Sequence, residues 1–140
     1  MIRFRHIGIV SENPEKLVVF YKNLGFKKTV FRKEPNELIE KLLKDKLELE
    51  TIKLFNKYGE AIEIVKIKNK NMMKSAKSYR KMGLNHISFT TPDILKTTRL
   101  IVKFGGSLIS DDTYDKKLTN NKMVVFCIDP EGNILEIVQD

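Results

Sequence analysis

One nine-residue pattern occurs twice in this 140-residue chain, and it restricts the fold more than any other feature of the sequence. Residues 57–65 read KYGEAIEIV and residues 130–138 read PEGNILEIV, so a glycine, a glutamate and an Ile-Val pair recur in step. Each copy predicts a turn that leads into an apolar strand with one glutamate, Glu63 or Glu136, in its middle. An ionised carboxylate in apolar surroundings is costly unless a positive group meets it. The sequence therefore predicts a duplicated domain in which each copy brings one carboxylate to a cation.

The order β-α-β-β-β surrounds the first copy of the pattern. Asn13-Pro14-Glu15 predicts a helix start, because asparagine caps a helix and proline is harmless at its first position, and Gly25 predicts the helix end. A short helix near 35–46 looks like an insertion between two strands. The predicted strands of this half are Ile2–Val10, Phe26–Arg32, Leu47–Phe55 and the strand that holds Glu63.

The second half repeats this order. Thr91-Pro92-Asp93 predicts a helix start and Gly105-Gly106 its end. The predicted strands are Leu84–Thr90, Ser107–Ser110, Met123–Ile128 and the strand that holds Glu136, with a polar loop over Asp111–Lys122. We therefore expect an α+β fold of two tandem βαβββ modules within one domain, 1–140. Module one spans 1–68, a basic connector 69–82 and module two 83–140.

The connector is rich in positive charge. Seven basic residues and no acidic one lie between Lys66 and Lys81. Four residues at helical spacing predict an amphipathic helix there: Met72, Met73, Ala76 and Tyr79. A basic amphipathic helix can bind a membrane surface or a partner, whereas a plain connector would only show a solvated face.

Composition fits an ordinary globular domain, with 41% hydrophobic and 31% charged residues and a formal net charge of +8. That charge is compatible with nucleic acid, an anionic membrane or an acidic substrate, but surface lysines alone explain it, so we expect no nucleic-acid or membrane partner. The single cysteine, Cys127, cannot form an internal disulfide, and we interpret it as a small buried residue. No apolar run is long enough for a signal peptide or a membrane span. The expected location is the cytoplasm.

Two histidines and two glutamates stand at matched places in the two halves. His6 and His86 are the only histidines, and each lies seven residues before the cap residue of its helix. A lone histidine is usually a satisfied core residue, and a strand glutamate can simply face water. The fourfold coincidence favours a metal site instead, because imidazole nitrogen and carboxylate oxygen suit a borderline divalent ion. Gly8 and Ser88, two residues after each histidine, are small and would leave room for an ion and its ligand.

These motifs resemble the vicinal oxygen chelate superfamily, which includes glyoxalase I, methylmalonyl-CoA epimerase, fosfomycin-resistance enzymes, ring-cleaving dioxygenases and bleomycin-binding proteins. The resemblance covers nearly the whole chain except the insert near 35–46 and the basic connector. It is carried by the segments His6–Val10, Phe20–Phe26, Ile62–Ile64, Asn85–Phe89 and Asp129–Glu136.

The resemblance implies that each module forms half of an open barrel, so that paired half-barrels make an open, cupped sheet. It implies one divalent ion (Ni, Co, Zn, Mn or Fe) held by His6, Glu63, His86 and Glu136. This set is most similar to that of bacterial glyoxalase I and close to that of the epimerase, whereas bleomycin binders generally lack it. The implied chemistry is proton transfer next to a carbonyl through a metal-bound enediolate or enolate, with Glu136 and Glu63 as base and acid.

We therefore expect a metal-dependent lyase or isomerase of the glyoxalase type that acts on a small molecule with adjacent oxygens, in a homodimer. A dioxygenase or thiol-transferase member, or a non-enzymatic small-molecule binder, is the alternative. The sequence leaves open whether the modules pair within one chain or across a dimer. Glu48 or Glu50 as a second acid or base, and connector lysines that bind a phosphate- or CoA-bearing substrate, are further hypotheses.

Overall fold

The computed structural model describes residues 1–74, 77–110 and 123–140. The chain divides into two units, Met1–Lys74 and Ser75–Asp140. The first unit contains β1 (Ile7–Val10), α1 (Pro14–Asn23), β2 (Lys28–Lys33), α2 (Asn36–Leu43), β3 (Leu49–Phe55) and β4 (Ala61–Ile67). The second contains β5 (His86–Thr91), α3 (Ile94–Lys103), β6 (Ser107–Leu108), β7 (Met123–Ile128) and β8 (Ile134–Gln139).

Each unit holds one open, four-stranded mixed sheet. The strand orders are β1-β4-β3-β2 and β5-β8-β7-β6, so the strand with the repeated glutamate lies inside its sheet in both cases. The first strand of each unit pairs with it in parallel, and the other pairs are antiparallel. The predicted α+β class with two tandem βαβββ modules is confirmed, and α2 is the predicted insertion.

One helix covers one face of each sheet and forms the core there. Leu17 and Phe20 of α1 are fully buried, as are Ile62 and Ile64 of β4. In the second unit the equivalent buried residues are Ile94, Ile101, Leu135 and Ile137. Because side chains alternate along a strand, the glutamate between each buried pair of β4 or β8 points to the face without the helix.

Both predicted helix caps are confirmed. The Asn13 side chain accepts a hydrogen bond from the backbone N–H of Lys16, with 3.2 Å between the two atoms. Asp93 accepts the equivalent bond from Lys96 at 2.9 Å. Each bond satisfies one of the free N–H groups in the first helical turn. The matching caps hold both helices at the same point of their units.

The first strand of each unit begins later than the sequence predicts. Instead of Ile2, β1 begins at Ile7, and the side chains of Ile2 and Phe4 are exposed. The partner strand sets this limit, because Ile7 lies opposite Ile62, the second residue of β4, and β4 does not extend far enough to pair with residues 2–5. The same holds for β5, which begins at His86 instead of Leu84.

The predicted connector helix is wrong for the described residues, because residues 68–74 and 77–82 contain no helix. Side-chain bonds hold the start of this segment against the loop before β3 instead. Asn69 accepts from the Glu48 N–H and donates to the Lys46 carbonyl. Lys70 pairs with Asp45 and, by its hydrogen bond, lowers the pKa of that carboxyl.

Two parts of the predictions lie outside the described residues, namely positions 75–76 of the connector and the polar loop 111–122. None of the helices in the described part of the chain is long and apolar enough to cross a membrane.

Candidate metal centre

The first unit brings His6 and Glu63 together. His6 directly precedes β1, and Glu63 lies in the middle of β4 opposite Gly8. The imidazole Nε2 and the carboxylate Oε2 are 3.1 Å apart, and both side chains are about three-quarters buried, with 26% and 20% of their surface exposed. A Cβ atom at Gly8 would meet nothing within 4 Å. The pair therefore lies on the face without the helix, beside open space.

The second unit repeats this arrangement with His86 and Glu136. Nε2 and Oε2 are 3.6 Å apart, and 29% and 25% of the two side chains are exposed. Ser88 lies opposite Glu136, as Gly8 lies opposite Glu63. The four predicted ligands thus form two His–Glu pairs, one in each unit, and each of the four side chains is between 20% and 29% exposed.

Hydrogen bonding sets the tautomer of a neutral His86. Its Nδ1 lies 2.9 Å from the side-chain oxygen of Asn85. The amide nitrogen of Asn85 donates to the Tyr79 carbonyl, which leaves the amide oxygen facing the ring as an acceptor. A neutral His86 therefore carries its proton on Nδ1 and a lone pair on Nε2. The Nε2 lone pair and the Glu136 carboxylate are both electron-pair donors. A cation bound between these two groups would stabilise their short separation.

His6 has no such outer partner. Its Nδ1 is buried and makes no hydrogen bond with any described residue. A metal on Nε2 would place the proton on Nδ1, and a buried donor without an acceptor costs about 1–3 kcal/mol. Metal-bound histidines usually donate this proton to a carboxylate, a carbonyl or water. His6 is thus the less well supported of the two predicted histidine ligands.

Aromatic rings surround His86. The Tyr79 ring stacks on it, with 5.9 Å between centroids and an angle of 14° between planes. Phe126 meets the His86 ring edge to face at 5.5 Å. These contacts restrict rotation of the imidazole and keep its Nε2 directed at Glu136.

A lysine that the sequence analysis did not single out completes the group in the first unit. Lys53 of β3 lies opposite Glu63 in the antiparallel register, and its Nζ is 3.2 Å from Oε1 of that carboxylate. His6 and Lys53 thus occupy both oxygens of Glu63. Counting the hairpin register outward from the Asn56–Gly59 turn would have placed Lys53 beside Glu63 from the sequence alone.

The geometry of each pair fits two neighbouring ligands of one ion. Ligands at about 2.0–2.2 Å from a zinc-like ion are about 3.0–3.5 Å apart at octahedral or tetrahedral angles. The observed separations of 3.1 Å and 3.6 Å lie close to this range. Within either unit, the described residues include no group of three or more histidine, cysteine, aspartate or glutamate side chains placed for a metal. One unit therefore supplies two donors of this kind.

The other candidates from the sequence lie away from the pairs. Glu50 is two residues from Ile52 and four from Leu54, on the face of β3 that α1 covers, and it pairs with Lys68 at 3.0 Å. Glu48 precedes β3, and its backbone N–H is bound by Asn69. Cys127 is fully buried, as expected.

Comparison with known proteins agrees with this description. The family model described as Glyoxalase/Bleomycin resistance protein/Dioxygenase superfamily matches residues 5–126, most of the chain. No curated protein matches the sequence.

Solved structures share the fold at low sequence identity. A glyoxalase family protein from Bacillus cereus is 15% identical with a TM-score of 0.83, over 99% of this chain and 94% of that one. A genomically encoded fosfomycin resistance protein from Listeria monocytogenes, complexed with Mn(II) and sulfate, is 14% identical with a TM-score of 0.61, over 100% and 94%. A mutant of that protein, complexed with Mn(II) and 1S,2S-dihydroxypropylphosphonic acid, is 15% identical with a TM-score of 0.60, over 99% and 93%.

Proposed function

Because the chain belongs to the glyoxalase/bleomycin resistance protein/dioxygenase superfamily, we propose that it is a divalent-metal-dependent lyase or isomerase of the glyoxalase type. Its reaction would be a proton transfer next to a carbonyl, in a small molecule with adjacent oxygens. One observation carries the proposal: in each unit a histidine Nε2 faces a glutamate Oε2 at the same place in the sheet.

We propose that the two pairs together hold one divalent ion. His6 and His86 would supply neutral nitrogen donors, and Glu63 and Glu136 would balance the +2 charge. When bound, such an ion polarises a carbonyl and stabilises negative charge on its oxygen. The Listeria protein of the same fold, which is complexed with Mn(II), supports a divalent ion as the cofactor.

The surroundings of the two glutamates favour Glu136 as the group that carries the proton. His86 is the only described polar side chain in ion-pair or hydrogen-bond contact with its carboxylate. Both oxygens of Glu63, in contrast, have a partner, so this side chain is better suited to hold a position than to move. Glu136 is therefore the first candidate for the base and Glu63 the second.

Metal uptake and carbon–deuterium exchange test the proposal together. We expect protein dialysed against Mn(II), Co(II), Ni(II) or Zn(II) to retain one ion per chain and to exchange the proton next to the carbonyl of a hydroxy-ketone in D₂O. Glu136→Gln should slow this exchange by about 10²–10⁴-fold, the usual contribution of a positioned acid–base group. Glu50→Gln serves as the matched control, because Glu50 is also a strand glutamate with a lysine partner but lies on the opposite face of the sheet from Glu63. Failure of the unaltered protein to retain any ion would overturn the proposal.

A non-enzymatic binder of small molecules is the second candidate, and Lys53 is the observation that favours it. Its ammonium already compensates the charge of Glu63 without a metal. A binder of this kind would take up ligands equally well in EDTA, whereas the metal-dependent enzyme would lose them. Thermal-shift screening of hydroxy-ketones, thioesters and sugar phosphates with and without EDTA separates the two.

A further inference from the structure

Lys53 is the one cation in direct contact with the proposed ligands among the described residues, and its position is fixed by the sheet. It lies on an inner strand, opposite Glu63 on one side and Val30 on the other. Only 21% of its side chain is exposed, yet its Nζ is held 3.2 Å from the carboxylate by that contact. A largely buried ammonium with a single carboxylate partner among the described residues retains N–H groups that can bind a second anion.

The face around Lys53 is positively charged. Residues opposite each other in neighbouring strands have side chains on the same face of the sheet. Lys28 and Phe55 are such a pair, and the Lys28 ammonium lies 5.5 Å from the centroid of the Phe55 ring, which confirms that both side chains are on one face. By this register the face carries three cations, Lys28, Arg32 and Lys53. It also carries two carboxylates, Glu63 of β4 and Glu34, which directly follows β2. The three cations outnumber the two carboxylates, so this face has a net positive charge that would attract an anion.

The second unit has an aromatic ring at the equivalent position. Phe126 of β7 lies opposite Glu136 of β8, just as Lys53 of β3 lies opposite Glu63 of β4. Phe126 and Lys53 are separated along the chain by the same number of residues as the two glutamates, so they are equivalent in the repeat. Glu136 therefore has an apolar neighbour where Glu63 has a cation. A lysine is therefore not needed to hold a glutamate at this place in the sheet, and this indicates a second role for Lys53.

We infer that Lys53 is a specificity-determining residue that selects substrates with an anionic group, a carboxylate, phosphonate or phosphate, next to their paired oxygens. The inference rests on the proposed function. Two carboxylates balance the charge of a divalent ion, so the Lys53 ammonium leaves one net positive charge at the centre. An anionic substrate would neutralise this charge, whereas a neutral substrate would leave it uncompensated in a partly buried place.

A simple cross-strand ion pair is the competing explanation of Lys53, and the chain offers a matched control for it. Lys68 pairs with Glu50 of the same strand at 3.0 Å, away from His6. Lys68→Met thus removes the same charge and the same kind of contact from the same sheet. Lys53→Met removes the charge at nearly constant volume, and Lys53→Arg retains it.

The test compares two probes on Mn(II)-loaded protein by titration calorimetry: dihydroxyacetone phosphate and dihydroxyacetone. They present the same adjacent oxygens and differ by the phosphate. We expect Lys53→Met to weaken binding of the phosphate probe by at least about tenfold, since a charge-assisted hydrogen bond is lost. Binding of dihydroxyacetone should change less than about twofold. Lys53→Arg should stay within about threefold for both probes, and Lys68→Met should change neither.

Mn(II) affinity, measured by equilibrium dialysis, gives a readout apart from any activity. A lysine that only supported the fold would lower this affinity when removed. We expect the opposite, about two- to fivefold tighter binding in Lys53→Met, because a cation that shares the Glu63 carboxylate is gone. Should Lys53→Met not fold, Lys53→Gln repeats the test with a polar side chain.

The outcomes separate the inference from the proposed function. If the unaltered protein binds no Mn(II), the proposed function and this inference both fail. If it binds Mn(II) but Lys53→Met binds the phosphate probe as well as before, only the role of Lys53 is overturned. Selective loss of the phosphate probe together with tighter Mn(II) binding would establish it.

Discussion

The outer nitrogens of the two histidines have different surroundings. Nδ1 of His86 faces the Asn85 side-chain oxygen, whereas Nδ1 of His6 has no partner among the described residues. The residue before each histidine makes this difference, because asparagine offers an acceptor and Arg5, its counterpart, does not. Asn85 therefore sets the tautomer of His86 and leaves its Nε2 free to bind an ion.

Replacing Asn85 should weaken the centre through this tautomer. We expect Asn85→Leu to lower Mn(II) or Co(II) affinity by about 10–100-fold, as loss of an outer partner of a ligand histidine usually does. Asn85→Asp retains an acceptor at the same place and should keep the affinity. Calorimetry gives the affinity, and the ¹⁵N shifts of the metal-free imidazole report directly which nitrogen carries the proton.

Arg5→Leu is the matched control in the first unit, since it places the same side chain as Asn85→Leu before His6, whose Nδ1 has no contact among the described residues. It should leave both the tautomer of His86 and the affinity unchanged. Unaltered ¹⁵N shifts and unaltered affinity in Asn85→Leu would show that the asparagine has no such role.

Strand boundaries depend on the partner strand as much as on the strand's own sequence. The alternation of Ile62, Glu63 and Ile64 predicted β4 well, because one face packs against a helix. The apolar residues before Ile7 gave an equally good pattern but have no strand to pair with, and Phe4 is exposed. The alternation of apolar and polar residues in one segment therefore predicts which face of the strand is apolar, whereas the length of the strand depends on the neighbouring strands.

The connection from α3 to β6 gives a prediction for the packing of one element on another. A Cβ atom at Gly106 would lie 2.5 Å from the Ile128 carbonyl oxygen and 2.8 Å from Cγ2 of Ile101. We expect Gly106→Ala to lower the free energy of unfolding by about 1–3 kcal/mol, because the backbone of β7 must move to accommodate the methyl group. Urea denaturation followed by circular dichroism measures this change.

Gly8→Ala serves as the comparison within β1, where the added methyl group meets nothing within 4 Å. Its effect on unfolding should stay within about 0.5 kcal/mol, since no contact is disturbed. Equal destabilisation by both substitutions would mean that the close approach at Gly106 does not determine the effect.

On the scale of the whole molecule, the duplication was readable because it repeats residues in step, and it predicted both His–Glu pairs. The partners that differ between the halves were not readable from the repeat. Lys53 and Phe126 occupy equivalent places with opposite character, and Tyr79 comes from a connector segment whose spacing suggested a helix. Symmetry of sequence thus located the two His–Glu pairs, while the differences between them come from neighbouring residues that the two halves do not share.

The last prediction concerns how many ions the duplicated chain binds. Two donors from one unit leave most of a divalent ion's coordination sites to water, so neither pair should hold an ion tightly by itself. We expect the unaltered protein to bind one Mn(II) per chain. The double variants His6→Ala with Glu63→Gln and His86→Ala with Glu136→Gln should each lose binding by more than about 100-fold, although the remaining pair is intact. Equilibrium dialysis with Mn(II) measures the stoichiometry, and thermal unfolding with and without EDTA checks it, because an ion bound only to the folded chain raises the midpoint. If both variants kept weak but equal binding and the unaltered protein bound two ions, the pairs would be independent sites, and the chemistry proposed for their joint centre would no longer follow.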